Sequence, residues 1–250
     1  MDKMLFIAMN GAKHVALQQA TTSNNLANAN TDGFKAELVA FRALPVVGDG
    51  TPTRAYTVDS TVGHDPTEGP LSYTNNPQDF ALHGHGFFAV QDKDGKEAYT
   101  RKGGYVVDPN GIMRTRDGLA ILSDGGGPIT IPPGSDVEIA KDGSVTAIGL
   151  GDNPKQQAQI VGRIKLVGDP TGKDFFKGTD GLFRRHDGST PPVDETRQVQ
   201  PRAVEGSNVN PVEALVQMVN HARQFDLNIK MMQTADQNAR QANSIMSLSN

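Results

Sequence analysis

The sequence predicts an α+β protein in which N- and C-terminal helices, paired as a coiled coil, are interrupted by an extended β linker and an antiparallel β domain. Three observations carry this. Glycine and proline punctuate the interior and spare the ends: only Gly11 and Gly33 precede residue 48, the last glycine is Gly206, and Pro211 is the only proline beyond residue 201. Apolar and small residues at both ends recur at alternating steps of three and four, the spacing of a helical seam. From about residue 76, short apolar runs alternate with Asp-Gly and Asn-Gly pairs, the signals of hairpin turns.

The N-terminal helix is expected over 1–32. Leu5, Ala8, Ala12, Val15, Gln19, Thr22, Leu26 and Ala29 form its seam. Asn24, Asn25, Asn28 and Asn30 crowd its end, although asparagine is a poor helix former. Amides placed there can donate and accept across a subunit contact; facing water and fraying the helix is the plainer reading of the same residues. Thr31, Asp32 and Gly33 are expected to stop the helix, with Gly33 in the left-handed cap position.

The C-terminal helix, 208–250, starts with an asparagine cap at Asn210, a proline suited to the first turn at Pro211, and a capping-box acid at Glu213. Its predicted seam is Leu215, Met218, Ala222, Phe225, Ile229 and Met232, continuing through Asp236, Ala239, Asn243 and Met246. Such a helix would be roughly 50 Å long at about 1.5 Å per residue, longer than one small domain covers. Both seams are poor in bulky apolar groups, too poor to offset the entropy of ordering two helices. The expectation is that the ends are loose in an isolated monomer and ordered by neighbouring subunits.

Between the helices, 33–75 and 196–207 read as an extended linker with a returning strand, and 76–195 as the β-rich domain. Its predicted strands lie in "DFAL", "GFFAV", "AYTR", "YVV", "IMRT", "LAIL", "VEIA", "IVGRIKLV" and "LFRR". Asp94-Gly95, Asn110-Gly111, Asp117-Gly118 and Asp142-Gly143 supply the turns.

Composition narrows the function. Of 250 residues 36% are hydrophobic and 6% aromatic, with 27 glycines and 15 prolines, which argues against a compact all-helical protein. The formal charge of -4 provides no cationic field, so nucleic acid is not an expected partner. The absence of cysteine removes disulfides, thiol nucleophiles and thiolate metal sites together. The apolar run Leu5 to Met9 is too short for a secretory signal, and no run approaches the roughly 18 residues of a membrane span, so direct membrane insertion is not expected.

Candidates for chemistry are sparse. His83 and His85 share a strand face, but a third ligand is not evident and a tight strand entry explains the two glycines beside them. Gly125 to Gly127 lack the Lys and Ser/Thr of a phosphate loop, and "DKDG" at 92–95 lacks the later acid of a calcium loop. Methionines 218, 231, 232 and 246 suit ordinary seam packing. Arg184-Arg185 is expected at a solvated strand end, with an inter-subunit ion pair as the alternative. No cofactor, metal or catalytic residue is assigned.

Three segments carry a resemblance. "NNLANANTDGFKAE" resembles the Asn-rich N-terminal signature of the flagellar rod, hook and hook-associated axial proteins. "TNNPQDFALHGHGFFAVQDKDGKEAYTRKGGYVVDPNGIM" is similar to their central motif, and "EGSNVNPVEALVQMVNHARQFD" to their C-terminal one. Length and C-terminal sequence are most similar to the proximal-rod members, with the distal rod protein the nearest alternative. Asp32 stands where proline is common, and Phe225-Asp226 replaces a Tyr-Glu pair after Arg223.

The resemblance implies a non-enzymatic, self-packing subunit of a hollow helical shaft in the periplasmic rod of the flagellar basal body. Its implied partners are copies of itself, other rod proteins, and the type III export apparatus that would carry it without a signal peptide. The implied subunit-packing residues are Leu5, Val15, Asn24, Asn25, Leu26, Asn28, Asn30, Gly33, Leu215, Met218, Ala222, Arg223, Phe225, Asp226, Ile229 and Met232. Competing classes are an exported cell-wall-acting protein, which needs a paired-carboxylate cleft, and an adhesin with a coiled-coil stalk.

Overall fold

The computed structural model describes residues 2–45, 55–59, 63–149 and 158–248. Parts of the predicted linker, 46–54 and 60–62, and the side chain of Met246 lie outside the described residues. Helix α1 spans Asp2–Ala27, followed by β1 (Glu37–Leu38), β2 (Phe41–Pro45), β3 (Ala55–Asp59), β4 (Gly63–His64), β5 (Leu71–Tyr73) and β6 (Phe80–His83). Next come β7 (Gly86–Gln91), β8 (Glu97–Thr100), β9 (Tyr105–Val107), β10 (Met113–Thr115), β11 (Ala120–Ile121), β12 (Ser135–Ile139) and β13 (Ser144–Gly149). The chain finishes with β14 (Gln159–Arg163), β15 (Leu166–Gly168), β16 (Phe175–Lys177), β17 (Phe183–Arg185), β18 (Gln198–Pro201), β19 (Ala203–Glu205) and α2 (Pro211–Leu248).

Two compact units form. One comprises 1–27, 37–63 and 210–250; the other comprises 28–36 and 64–209. The segment 28–36 therefore belongs with the β body, whereas 37–63 belongs with the helices.

In the helical unit α1 and α2 pack on each other. Ser23 Oγ lies 4.0 Å from Met218 Sδ, and a Cβ on Gly11 would meet Asn228 Oδ1 at 3.0 Å, so the helices run antiparallel. The buried face of α1 includes Ala8, Ala12, Val15 and Thr22, four members of the predicted seam. Leu5 is exposed, while Gln19 and Leu26 are half-buried. The β2–β3 hairpin packs beside α1: the Thr57 carbonyl accepts from His14 Nε2 at 2.9 Å and from Asn10 Nδ2 at 3.4 Å.

The start of α2 follows its sequence. Asn210 Oδ1 accepts from the amides of Val212 and Glu213 at 3.0 and 3.3 Å, satisfying two of the first-turn donors. The Glu213 carboxylate accepts from Gln217 Nε2, one turn along, so the capping box is only half made.

The β body is antiparallel throughout its paired strands. Its main sheet runs β16-β17-β8-β7-β11-β10-β9, and β15 pairs with the first half of β7 while β11 pairs with its last two residues. A three-stranded sheet, β12-β13-β14, closes the other side of a core built from Phe80, Leu82, Phe88, Val90, Met113, Ile121, Ile129, Ile139, Val145, Ile164 and Leu166. All four expected dipeptides form turns, as the amide of each glycine bonds a carbonyl three residues back: Gly95 to Asp92, Gly111 to Asp108, Gly118 to Thr115 and Gly143 to Ala140. The return of the chain pairs β18 with β6 and β19 with β5.

Helix α1 stops at Ala27, five residues before the expected end. Residues 28–30 form a turn in which the Asn28 carbonyl accepts from the Thr31 amide at 3.1 Å. Gly33 is left-handed, with φ 65°, but six residues past the helix rather than at its cap. A close approach explains it: a Cβ there would lie 2.5 Å from the Arg101 carbonyl carbon.

Candidate assembly surface and buried ion cluster

Helix α2 has two dissimilar faces. Ala214, Met218, His221, Phe225, Asn228, Met232, Ala235, Ala239 and Ala242 are buried or half-buried in a four-three alternation, with Ile229 half-buried beside it. Met218, Phe225, Met232 and Ala239 are the predicted seam members on this stripe. The positions between them fall one residue earlier than predicted. Leu215 is 52% exposed and Ala222 and Asp236 are exposed, while Ala214 and Ala235 are buried and Ile229 sits half-buried beside the seam. Small and polar residues let the antiparallel helices approach closely, so the stripe is not its most hydrophobic one.

On the opposite side, Val212, Leu215, Val216 and Val219 are each more than half exposed. At 100° per residue they fall within a narrow arc turned away from α1. Arg223 and Asp226 continue this arc and are exposed as well. Among the described residues, no helix is long and apolar enough to cross a membrane.

The asparagine cluster divides its work. Asn25 makes a two-way amide bridge to Glu37: Oδ1 accepts from the Glu37 amide at 2.8 Å and Nδ2 donates to its carbonyl at 3.0 Å. An amide side chain thus stands in for a neighbouring strand. Asn28 Oδ1 accepts from Thr31 Oγ1 at 3.2 Å and fixes the turn. Asn24 and Asn30 are exposed.

The residues just after this turn enter the β body. Phe34 is buried with the Lys177 ammonium 3.7 Å above its ring, and the Gly33 amide donates to the Glu205 carbonyl at 2.7 Å. Beside them lies a buried ion cluster. Glu205 Oε1 accepts from Lys35 Nζ at 2.9 Å and from the Gly69 amide at 3.0 Å, and Oε2 accepts from Arg101 Nε at 2.6 Å. The Lys35, Arg101 and Glu205 side chains are 4%, 1% and 1% exposed. Arg101 also donates to the carbonyls of Leu82, Gly84 and Gly86, tying the β6–β7 corner to the cluster. Lys35 Nζ donates to the Thr67 carbonyl at 2.5 Å.

The electrostatics follow from this geometry. Burial alone would raise the Glu205 carboxyl, but Arg101 and Lys35 outweigh it and hold it below the usual carboxylate range. Burial draws Lys35 below its ordinary value against the pull of Glu205, with Arg101 adding to the drop. His64, buried edge-on against Phe87 and Phe183, is also lowered, first by burial, with Asp169 opposing and Lys35 and Lys177 reinforcing.

The remaining sequence candidates resolve locally. His83 is exposed, and His85 Nδ1 donates to the Pro66 carbonyl at 2.9 Å. No group of three His, Cys, Asp or Glu residues suited to a metal occurs among the described residues. "DKDG" is the β7–β8 turn, and its Asp92 pairs with Arg184, which also pairs with Asp180 at 2.6 Å. Arg184 is thus paired inside its own chain, at a half-exposed strand end.

Lys35, Arg101 and Glu205 lie one in each of the three segments that carried the resemblance. Comparison with known proteins assigns those segments in the same order. Residues 5–35 match the family described as "Flagella basal body rod protein", 81–147 the "Flagellar hook protein FlgE/F/G D1 domain", and 200–245 the "Flagellar basal body rod FlgEFG protein C-terminal". The chain is 42% identical over its full length, and that of the relative, to the flagellar basal-body rod protein FlgF of Escherichia coli. It belongs to the flagellar basal-body rod protein family. The FlgF of Caulobacter vibrioides is 34% identical over 97% of both chains. A FlgG rod protein from Buchnera aphidicola is 31% identical over 93% of this chain and 95% of its own. In this rod-family chain the shared segments are therefore brought to one buried point.

Sequence reasoning missed the ion cluster, His64, and the polar seam members His221 and Asn228. No local signal marked them, because the charges of the cluster lie far apart in the sequence.

Proposed function

We propose that this protein is a structural, non-enzymatic subunit of the proximal rod of the bacterial flagellar basal body. It packs with copies of itself and with other rod proteins into a hollow helical shaft that transmits torque and passes exported subunits. The type III export apparatus delivers it. Support for the rod assignment comes from the full-length similarity to flagellar basal-body rod proteins. The 42% identity over the full length of both chains to the FlgF of Escherichia coli and of Salmonella typhimurium supports the proximal rod.

One observation carries the packing mechanism: the α2 face of Val212, Leu215, Val216 and Val219 is apolar, exposed and turned away from α1. In this reading it is buried by a neighbouring subunit, with Arg223 and Asp226 at its polar end and Leu5, Asn24 and Asn30 offering further contacts from the N-terminal segment. Val15, Leu26, Met218, Phe225, Ile229 and Met232 act indirectly by holding the helix pair, whose order is completed by assembly.

Complementation of an Escherichia coli strain lacking FlgF tests this. Leu215→Asp should be secreted at the normal level yet fail to enter the rod or restore swimming. Normal swimming with the variant in purified basal bodies would overturn the packing reading. Rescue of a strain lacking FlgG, but not of one lacking FlgF, would favour the distal rod.

A further inference from the structure

The ion cluster is not electrically balanced by the three residues that bond one another. Lys35 and Arg101 bring two positive charges to one buried carboxylate, and an uncompensated buried cation is costly. Glu68 acts on Lys35 only from the exposed surface, whereas Asp169, which directly follows β15, is 2% exposed and lines the same cavity as Lys35 and Arg101. Its Oδ1 accepts from Thr171 Oγ1 at 3.4 Å, whereas Oδ2 is buried and meets no donor among the described residues. Lys35, Arg101 and Asp169 share the walls of one small, partly open cavity of about 10 Å³, completed by His64, Pro66, His85, Gly86 and Phe87.

That volume is close to one water-sized sphere, the smallest space in which a water molecule is held. Lys35 Nζ has three donors, of which Thr67 and Glu205 take two. Arg101 has five, and its four bonds leave one Nη2 hydrogen over. A buried acceptor and spare donors thus surround a space of the right size. Two cations in the wall disfavour a bound cation. Asp169 and Glu205 together neutralise the pair and remove the reason for a bound anion.

We propose that this cavity binds one ordered water molecule, which donates to Asp169 Oδ2, accepts from the Lys35–Arg101 side, and makes Asp169 the second carboxylate of a neutral four-charge lock. Asp169 is then a positioning residue for the docked 33–35 segment, acting through the water rather than by direct contact. The segment after α1, the β6–β7 corner, the β15 end and β19 are held at one point.

A crystal structure of the full chain, with and without a bromide soak, tests the site directly. A single peak of water height within about 3.2 Å of Asp169 Oδ2, also within reach of Lys35 or Arg101, is expected. An empty cavity, or an anomalous bromide peak, would overturn the water assignment. The charge role is tested by exchange of the Gly33 and Gly69 amides, which both bond Glu205. Asp169→Asn should speed their exchange at least about tenfold in the native background. The same change should speed it less than about threefold when Lys35 is already methionine, because coupled residues do not add. Equal effects in both backgrounds would show that Asp169 does not balance Lys35.

Discussion

Removing the charge of Glu205 should release the 33–35 segment from the β body. Glu205→Gln keeps the size and one acceptor oxygen but leaves Lys35 and Arg101, at 4% and 1% exposure, without their shared partner. Each contact near 3 Å is worth about 5.5 kcal/mol at an effective dielectric of 20, and desolvation of the charges consumes part of it. Breaking a buried pair from one side costs about 3–5 kcal/mol, because the remaining charge stays buried. At about 1.4 kcal/mol per decade, the local opening constant should rise by two to three and a half orders of magnitude. Hydrogen exchange measures this at the Gly69 amide, which bonds the carboxylate itself, and at the Gly33 amide, which bonds the Glu205 main-chain carbonyl and opens as the segment undocks. Lys102→Met is the control: its pair with Asp117 is 42% and 53% exposed and should contribute no more than about 1 kcal/mol. A Glu205→Gln protein whose exchange matches that of the control would refute the reasoning.

Further expectations rest on single features. Gly33→Ala should destabilise docking of the same segment by roughly 1–3 kcal/mol, read by exchange of the Lys35 and Ala36 amides, because its φ of 65° is strained for alanine and its Cβ would meet Arg101 backbone. His64 favours its neutral form in the folded protein, so the unfolded chain binds the proton more readily; stability is complete above about pH 6.5 and falls as pH drops through that value. His64→Leu should flatten the melting temperature between pH 7.5 and 5, and an unchanged slope would contradict the burial argument. Phe225→Asp should lower the helicity of the isolated chain by disturbing the α1–α2 contact, whereas Leu215→Asp should leave circular dichroism unchanged, since its side chain already faces water.

Where local chemistry decides an element, the sequence sufficed. The glycine turns, the Asn210 cap, the return of 196–207 and the Ala8, Ala12, Val15 and Thr22 face of α1 all follow from spacing and residue type. The register of α2 did not, for a physical reason. Ala214, His221, Asn228 and Ala235 suit a tight antiparallel contact, while the larger Leu215 lies outside it, so hydrophobicity tracked the outer face at alternate positions. Gly11 opposite Asn228 is the clearest sign of that close approach. The early end of α1 depended on Asn25 finding Glu37 and on Gly33 meeting Arg101. The ion cluster was the least legible feature, because residues 35, 101, 169 and 205 are joined only by the folded β body.

The claim that matters most is that the exposed apolar face of α2 is a subunit contact. A side-chain-resolution structure of the assembled basal body carrying this protein tests it directly. The prediction is that Val212, Leu215, Val216 and Val219 lose most of their solvent exposure against a neighbouring subunit while the α1 contact through Phe225 and Asn228 is kept. The same four side chains left facing water, with neighbours meeting the protein only elsewhere, would contradict it.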